Sequence, residues 1–180
     1  MKKFLALIII TATMLCACSV QRYSDADMFC ELFNSRYQSK LLEVENAVVT
    51  EENGCRQYNF KVGGDTLISL CTDSEKVRIK RACVTLMGKV EDITGEKFEN
   101  FLSLISCATF AFSGKEDSFE ELSMLLGIPS ASEYSTAITQ YAESRTMRYT
   151  YSADITGVCF SIENKSLCVE AETALTLRGE

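Results

Sequence analysis

The sequence predicts an α+β protein made of antiparallel sheet meanders with packed helices. Three observations carry that expectation. Apolar and polar residues alternate with period two in short runs such as Tyr58-Asn59-Phe60-Lys61-Val62 and Met147-Arg148-Tyr149-Thr150-Tyr151, the mark of strands with one buried face. Connections of a few residues, such as Gly63-Gly64-Asp65, join these runs and leave no room for the crossovers that parallel neighbours need. Between them, two stretches around Phe29 and Phe101 keep helical spacing instead.

Ser24-Asp25-Ala26-Asp27 opens the first helix, with Ser24 placed to cap it and the aspartates complementing the partial positive charge of its start. Phe29, Leu32 and Phe33 share one face. A weakly marked strand over 41–50, ended by Asn53-Gly54, precedes clearer strands at 58–62, 67–72 and 77–87. The period then changes. Phe98, Phe101, Leu102, Ile105, Thr109 and Phe112 line one side of a helix over 94–112, and Leu104, Cys107 and Ala111 widen the stripe. This helix is expected to be the central buried element. Glu99 and Asn100 interrupt a run already too short to span a membrane.

Residues 113–117 read as a linker. Ser118-x-x-Glu121 has the form of a capping box, Phe119, Leu122, Leu125 and Leu126 form the packed face behind it, and Gly127-Ile128-Pro129 stops the helix. Strands resume at 147–152, 158–162 and 167–170, the last two joined by a turn at 163–166. Each half therefore gives a capped helix, a vague strand and three clearer ones. Tyr58-Asn59-Phe60-Lys61 matches Tyr149-Thr150-Tyr151-Ser152, and 70–73 matches 160–163. The pattern admits a tandem α-β4 duplication, halves 25–92 and 118–180 joined by the 94–112 helix, against a chance likeness of two amphipathic patterns.

Ahead of a globular domain at 25–180 stands a different kind of segment. Met1-Lys2-Lys3 is basic, and residues 4–15 are apolar apart from two threonines, the pattern of a secretory signal. Leu15, Cys16 and Ala17 then precede Cys18. This resembles the lipobox of bacterial lipoproteins, and the resemblance implies that residues 1–17 are a signal peptide and that Cys18 is the lipid attachment site, carrying a diacylglyceryl group by thioether. The likeness covers residues 1–18 and says nothing of the fold. Two acyl chains give stable anchoring where one gives marginal binding, so the expected location is the extracytoplasmic face of a cell membrane, with 18–24 as a tether.

The chain carries a net charge of −7, and loss of the leader with its two lysines makes it −9. Such a balance argues against nucleic acid, which is bound by neutralising phosphates. The basic cluster Arg78, Lys80 and Arg81 reads as a solvated strand face. There is no His, so Ser-His-Asp and Cys-His catalytic arrangements and His-ligated metals are excluded. The paired acids Asp25/Asp27, Glu51/Glu52 and Glu120/Glu121 fall at helix starts or loops, where capping or solvation explains them, and Gly63-Gly64 lacks the helix a phosphate-cradling loop needs. Tyr58, Phe60, Tyr149 and Tyr151 read as core by their alternation.

Seven cysteines follow Cys18: Cys30, Cys55, Cys71, Cys83, Cys107, Cys159 and Cys168. An exported chain with so many invites disulfides. The odd number, the lack of a Cys-x-x-Cys pair and the apolar settings favour mostly reduced, packed thiols, with one bridge as the alternative. Cys159 and Cys168 flank the expected turn. If Glu163 pairs with Ser166 they are diagonal neighbours about 7–8 Å apart, beyond ordinary disulfide reach.

The function expected from all this is a non-enzymatic binding or interaction module, without cofactor or metal, whose partner is a protein or envelope component. A repeated α-β4 body resembles the β-lactamase inhibitory proteins in topology alone, which implies binding across a concave sheet. The alternatives are an envelope enzyme using carboxylates or a cysteine, and a small solute-capture component.

Overall fold

A computed structural model describes residues 25–52, 54–73, 78–89, 92–93, 95–114, 118–129 and 138–168. The signal segment, the tether and Cys18 lie outside them. The chain runs α1 (Ala26–Tyr37), a 3-10 turn (Val44–Asn46), β1 (Val48–Glu52), β2 (Cys55–Val62), β3 (Thr66–Asp73), β4 (Ile79–Met87), α2 (Gly95–Ser113), α3 (Ser118–Leu125), β5 (Ile138–Glu143), β6 (Met147–Asp154) and β7 (Gly157–Asn164). The seven strands form one antiparallel sheet in the order β1-β2-β3-β4-β7-β6-β5. The α+β class with meandering strands is therefore the observed one.

The helices form because their caps and faces agree. Asp25 is the cap of α1, its Oδ1 accepting from the Met28 amide at 2.8 Å, whereas Ser24, the cap expected from sequence, lies outside the described residues. Phe29 and Phe33 are fully buried and stack with centroids 6.1 Å apart. Beyond the helix, Asn34 holds the return segment: its Oδ1 accepts from the Leu41 and Leu42 amides, each at 2.9 Å, and its Nδ2 donates to the Leu42 carbonyl at 2.7 Å. The strand expected over 41–50 is thus shortened to β1, because 41–46 is tied to α1. Helix α2 falls within one residue of its expected bounds. Phe98, Phe101, Leu104, Ile105, Cys107, Ala108, Thr109 and Ala111 are its buried residues, whereas Leu102 and Phe112 lie only partly buried at the margin of the core. Among the described residues no helix is long and apolar enough to cross a membrane.

Helix α3 ends where Gly127 adopts φ +56°, with the Gly127 amide donating to the Met124 carbonyl and the Ile128 amide to that of Ser123. This is the paired closure that a left-handed glycine permits. The capping box expected at Ser118 falls on a side chain outside the described set.

All strand residues in the core lie on one face of the sheet: Tyr58, Phe60, Ile68, Leu70, Val84, Leu86, Tyr151, Val158, Phe160 and Ile162 among them. They pack against α1, α2 and α3. The two meanders, β1–β4 and β5–β7, meet along β4 and β7, where Val84 faces Phe160 and Ala82 faces Ile162. With β4 on one side of β7 and β6 on the other, no slot remains beside β7 for the strand expected at 167–170. Instead β7 runs through the expected turn to Asn164, and residues 165–168 form one helical turn, capped by Asn164 Oδ1, which accepts from the Ser166 and Leu167 amides. Val169 and Glu170 lie outside the described residues. The vague strand of the second half is β5. Hairpin closure also differs: Tyr58 pairs with Leu70, but its counterpart Tyr149 pairs with Ile162 rather than Phe160, a two-residue slip that keeps the same face inward.

Candidate functional site

The face of the sheet turned away from the helices contributes nothing to the core among the described residues. Its alternate positions carry small polar and sulfur side chains, half-buried against each other: Asn59, Ser69, Cys71, Cys83, Thr85, Cys159, Ser161, Thr150 and Ser152. Ser69 Oγ donates to Asn59 Oδ1 at 2.7 Å. Apolar side chains stand exposed at its margins, Val48 on β1, Tyr141 on β5 and Met87 at the end of β4. Across the β4–β7 seam Arg81 Nε meets Glu163 Oε1 at 2.7 Å, and toward the β5 edge Arg148 and Lys165 meet Glu143 at 2.7 and 2.9 Å.

The strand registers draw four thiols into a diagonal row across this face. Cys55 faces Asp73 while Gln57 faces Cys71; Cys71 faces Arg81 while Ser69 faces Cys83; Cys83 faces Ser161 while Thr85 faces Cys159. Each cysteine is one diagonal step from the next. All seven described cysteines are unbridged, but Cys83 Sγ and Cys159 Sγ approach to 3.1 Å. Thr85 Oγ1 donates to Cys159 Sγ at 3.6 Å.

These contacts set the acidities. A hydrogen bond from Cys83, with a second from Thr85 and the positive charge of Arg81, brings the Cys159 thiol down to about 6, against burial and the nearby Asp154. The same bond, reinforced by burial, pushes Cys83 up. The two thiols titrate as a pair, and the hydrogen bond between them, with that from Thr85, favours the thiolate on Cys159. Burial, with Asp27, pushes Cys30 up to about 12, and burial, with Cys55, pushes Cys71 up to about 11. Cys107 is likewise raised by burial. Those three are inert as nucleophiles near neutral pH.

The remaining sequence candidates fall apart rather than together. Asp25 is a cap, Glu51 pairs with Arg56 at 2.6 Å, and Glu120 and Glu121 sit in the first turn of α3. Tyr58, Phe60 and Tyr151 are core, with Tyr149 packed against it. Among the described residues no three of His, Cys, Asp and Glu are grouped to hold a metal. The basic cluster needs correction. A β-bulge at Cys71/Thr72 sets Ile79 opposite Thr72 and Arg81 opposite Cys71, so Lys80 is the extra residue. It is only 8% exposed and its Nζ reaches Cys55 Sγ at 3.7 Å.

Sequence reasoning missed the Cys83–Cys159 approach. Its one legible signal is phase: Cys83 and Cys159 alternate with Ala82, Val84, Val158 and Phe160, which places both on the outward face of their strands. Which strands are neighbours is not written in that phase. No protein-family profile, curated protein or solved structure matches the chain.

Proposed function

We propose that the protein is a membrane-anchored extracytoplasmic lipoprotein whose body is a non-enzymatic binding module for a protein or envelope partner. The observation that carries this reading is Leu15-Cys16-Ala17-Cys18 closing an apolar leader. With Cys18 as the lipid site and Asp25 as the first cap, the tether of 18–24 reaches about 25 Å at full extension, so the body rides close to the bilayer. The sheet face that no described helix covers supports the binding part, since small side chains there let another surface approach closely while Val48, Met87 and Tyr141 offer apolar contacts at its rim.

The test is expression of the full chain in a bacterium fed a clickable fatty acid. The wild type takes up label and sediments with membranes, and Cys18→Ser does neither. Label that survives Cys18→Ser, or a wild-type protein free in the medium, overturns the anchoring. Cross-linking from membranes then reports the partner, and Ser152→Arg with Ser161→Arg on the open face removes the cross-linked species.

A second reading, an envelope enzyme working through a cysteine, draws on Cys159, whose thiol is brought down by hydrogen bonds from Cys83 and Thr85. Turnover of a small disulfide substrate, lost in Cys159→Ser, favours it over the binding module.

A further inference from the structure

We propose that Cys83 and Cys159 are a cross-linking site, whose two thiols close to a disulfide that staples the β4–β7 seam. Although the two residues are diagonal neighbours, a step of about 7–8 Å, their side chains lean together and leave the sulfurs 3.1 Å apart. A bond of about 2.05 Å then asks a further approach of about 1 Å with β4 and β7 drawn together locally. A bridging metal fits the spacing less well. Two Zn–S bonds of about 2.3 Å in a tetrahedral site hold their sulfurs about 3.8 Å apart, and no third ligand group is assembled there among the described residues. The local pairing contemplated from sequence, Cys159 with Cys168, loses its basis because the hairpin after β7 does not form.

The arrangement also supplies an order of events. Cys159, receiving hydrogen bonds from Thr85 and Cys83, is the thiolate that attacks one sulfur of an incoming disulfide. A mixed disulfide forms on Cys159 and one thiolate leaves. Cys83 then gives its proton to solvent or to that leaving thiolate, attacks the Cys159 sulfur, and expels the second thiolate. Two protein thiols are oxidised by two electrons, and one disulfide is reduced to two thiols. In an extracytoplasmic setting the oxidant is a protein disulfide; glutathione disulfide supplies the same chemistry in a tube.

The position gives the bond its consequence. Cys83 and Cys159 are 76 residues apart in the chain, and β4–β7 is the pairing that joins the two meanders. A cross-link closing so long a loop restricts the unfolded chain strongly, which corresponds to a rise in Tm on the order of 10 °C.

The experiment uses the purified full chain, reduced, then exposed to glutathione disulfide, acid-quenched, alkylated and digested without reduction for mass spectrometry. The expected product is a peptide carrying Cys83 joined to one carrying Cys159, appearing together with the rise in Tm and reversed by dithiothreitol. Cys168→Ser leaves it unchanged, and Cys83→Ser or Cys159→Ser abolishes it. Quantitative alkylation of both thiols in the oxidised wild type overturns the proposal, as does a dominant link from Cys159 to any other cysteine. The wild-type measurement stands even if a Ser variant folds poorly. No step involves Cys18 or a membrane, so this inference and the anchoring reading fail independently.

Discussion

Cys83 and Cys159 are alike in the sequence and unlike in their settings. Both are half-buried and near Arg81, but Thr85 Oγ1 donates to Cys159, and the hydrogen bond between the two thiols lowers Cys159 while it raises Cys83. In the reduced, folded protein, labelling of Cys159 by iodoacetamide should rise with pH through a midpoint near 6, because only the thiolate reacts. Cys83 should stay unlabelled in that range. Mass spectrometry of each peptide across a pH series reads both, and a Cys159 midpoint near the ordinary value of 9 contradicts the geometry. Gly157 is the other residue whose place decides its identity. It adopts φ +152°, and a Cβ there would overlap the Leu86 carbonyl oxygen across the seam. Gly157→Ala should therefore cost about 2–4 kcal/mol in urea unfolding. Gly64→Ala, where an added Cβ meets nothing within 4 Å, should change stability by less than about 0.5 kcal/mol.

Among the elements, α2 was the most legible, since a long apolar stripe at helical spacing admits one reading and the linker over 113–117 marked where it stops. Strands β2, β3, β6 and β7 were legible for the same reason in period two. The errors fall where a neighbour overrides the local pattern. Residues 41–46 look strand-like, but the Asn34 side chain ties 41 and 42 to the end of α1. Asn34→Ala should lose these three part-buried hydrogen bonds and cost about 2 kcal/mol, with faster hydrogen exchange at the Leu41 and Leu42 amides and little change in α2. Exchange rates at 41 and 42 equal to wild type would show that the bracket does not hold that segment. Lys80 belongs to the same class of error. Its charge, beside Arg78 and Arg81, marks it as solvated, but as the extra residue of a bulge it is a buried amine beside Cys55. Edge strand β5 was left vague because Gln140, at an inward-phase position, is exposed, which blurs the alternation.

At the scale of the whole molecule, the sheet is two meanders sharing one seam, and its two faces have separate roles. One face holds the core with the helices; the other presents four thiols and a set of small polar side chains. The sequence by itself determined the α+β class, the inward face of the clear strands, the helix over 94–112 and the exclusion of His-dependent chemistry, because periodicity and residue type are local quantities. It also carries the whole case for Cys18, which lies outside the described residues. Only the tertiary structure decided that β4 pairs with β7, that β4 and β6 together leave no place beside β7 for a further strand, and that Cys83 meets Cys159. A strand's phase states which side it buries, but the identity of its neighbour depends on how the two meanders pack on the same helices, and no local pattern along the chain encodes a contact between residues 76 apart.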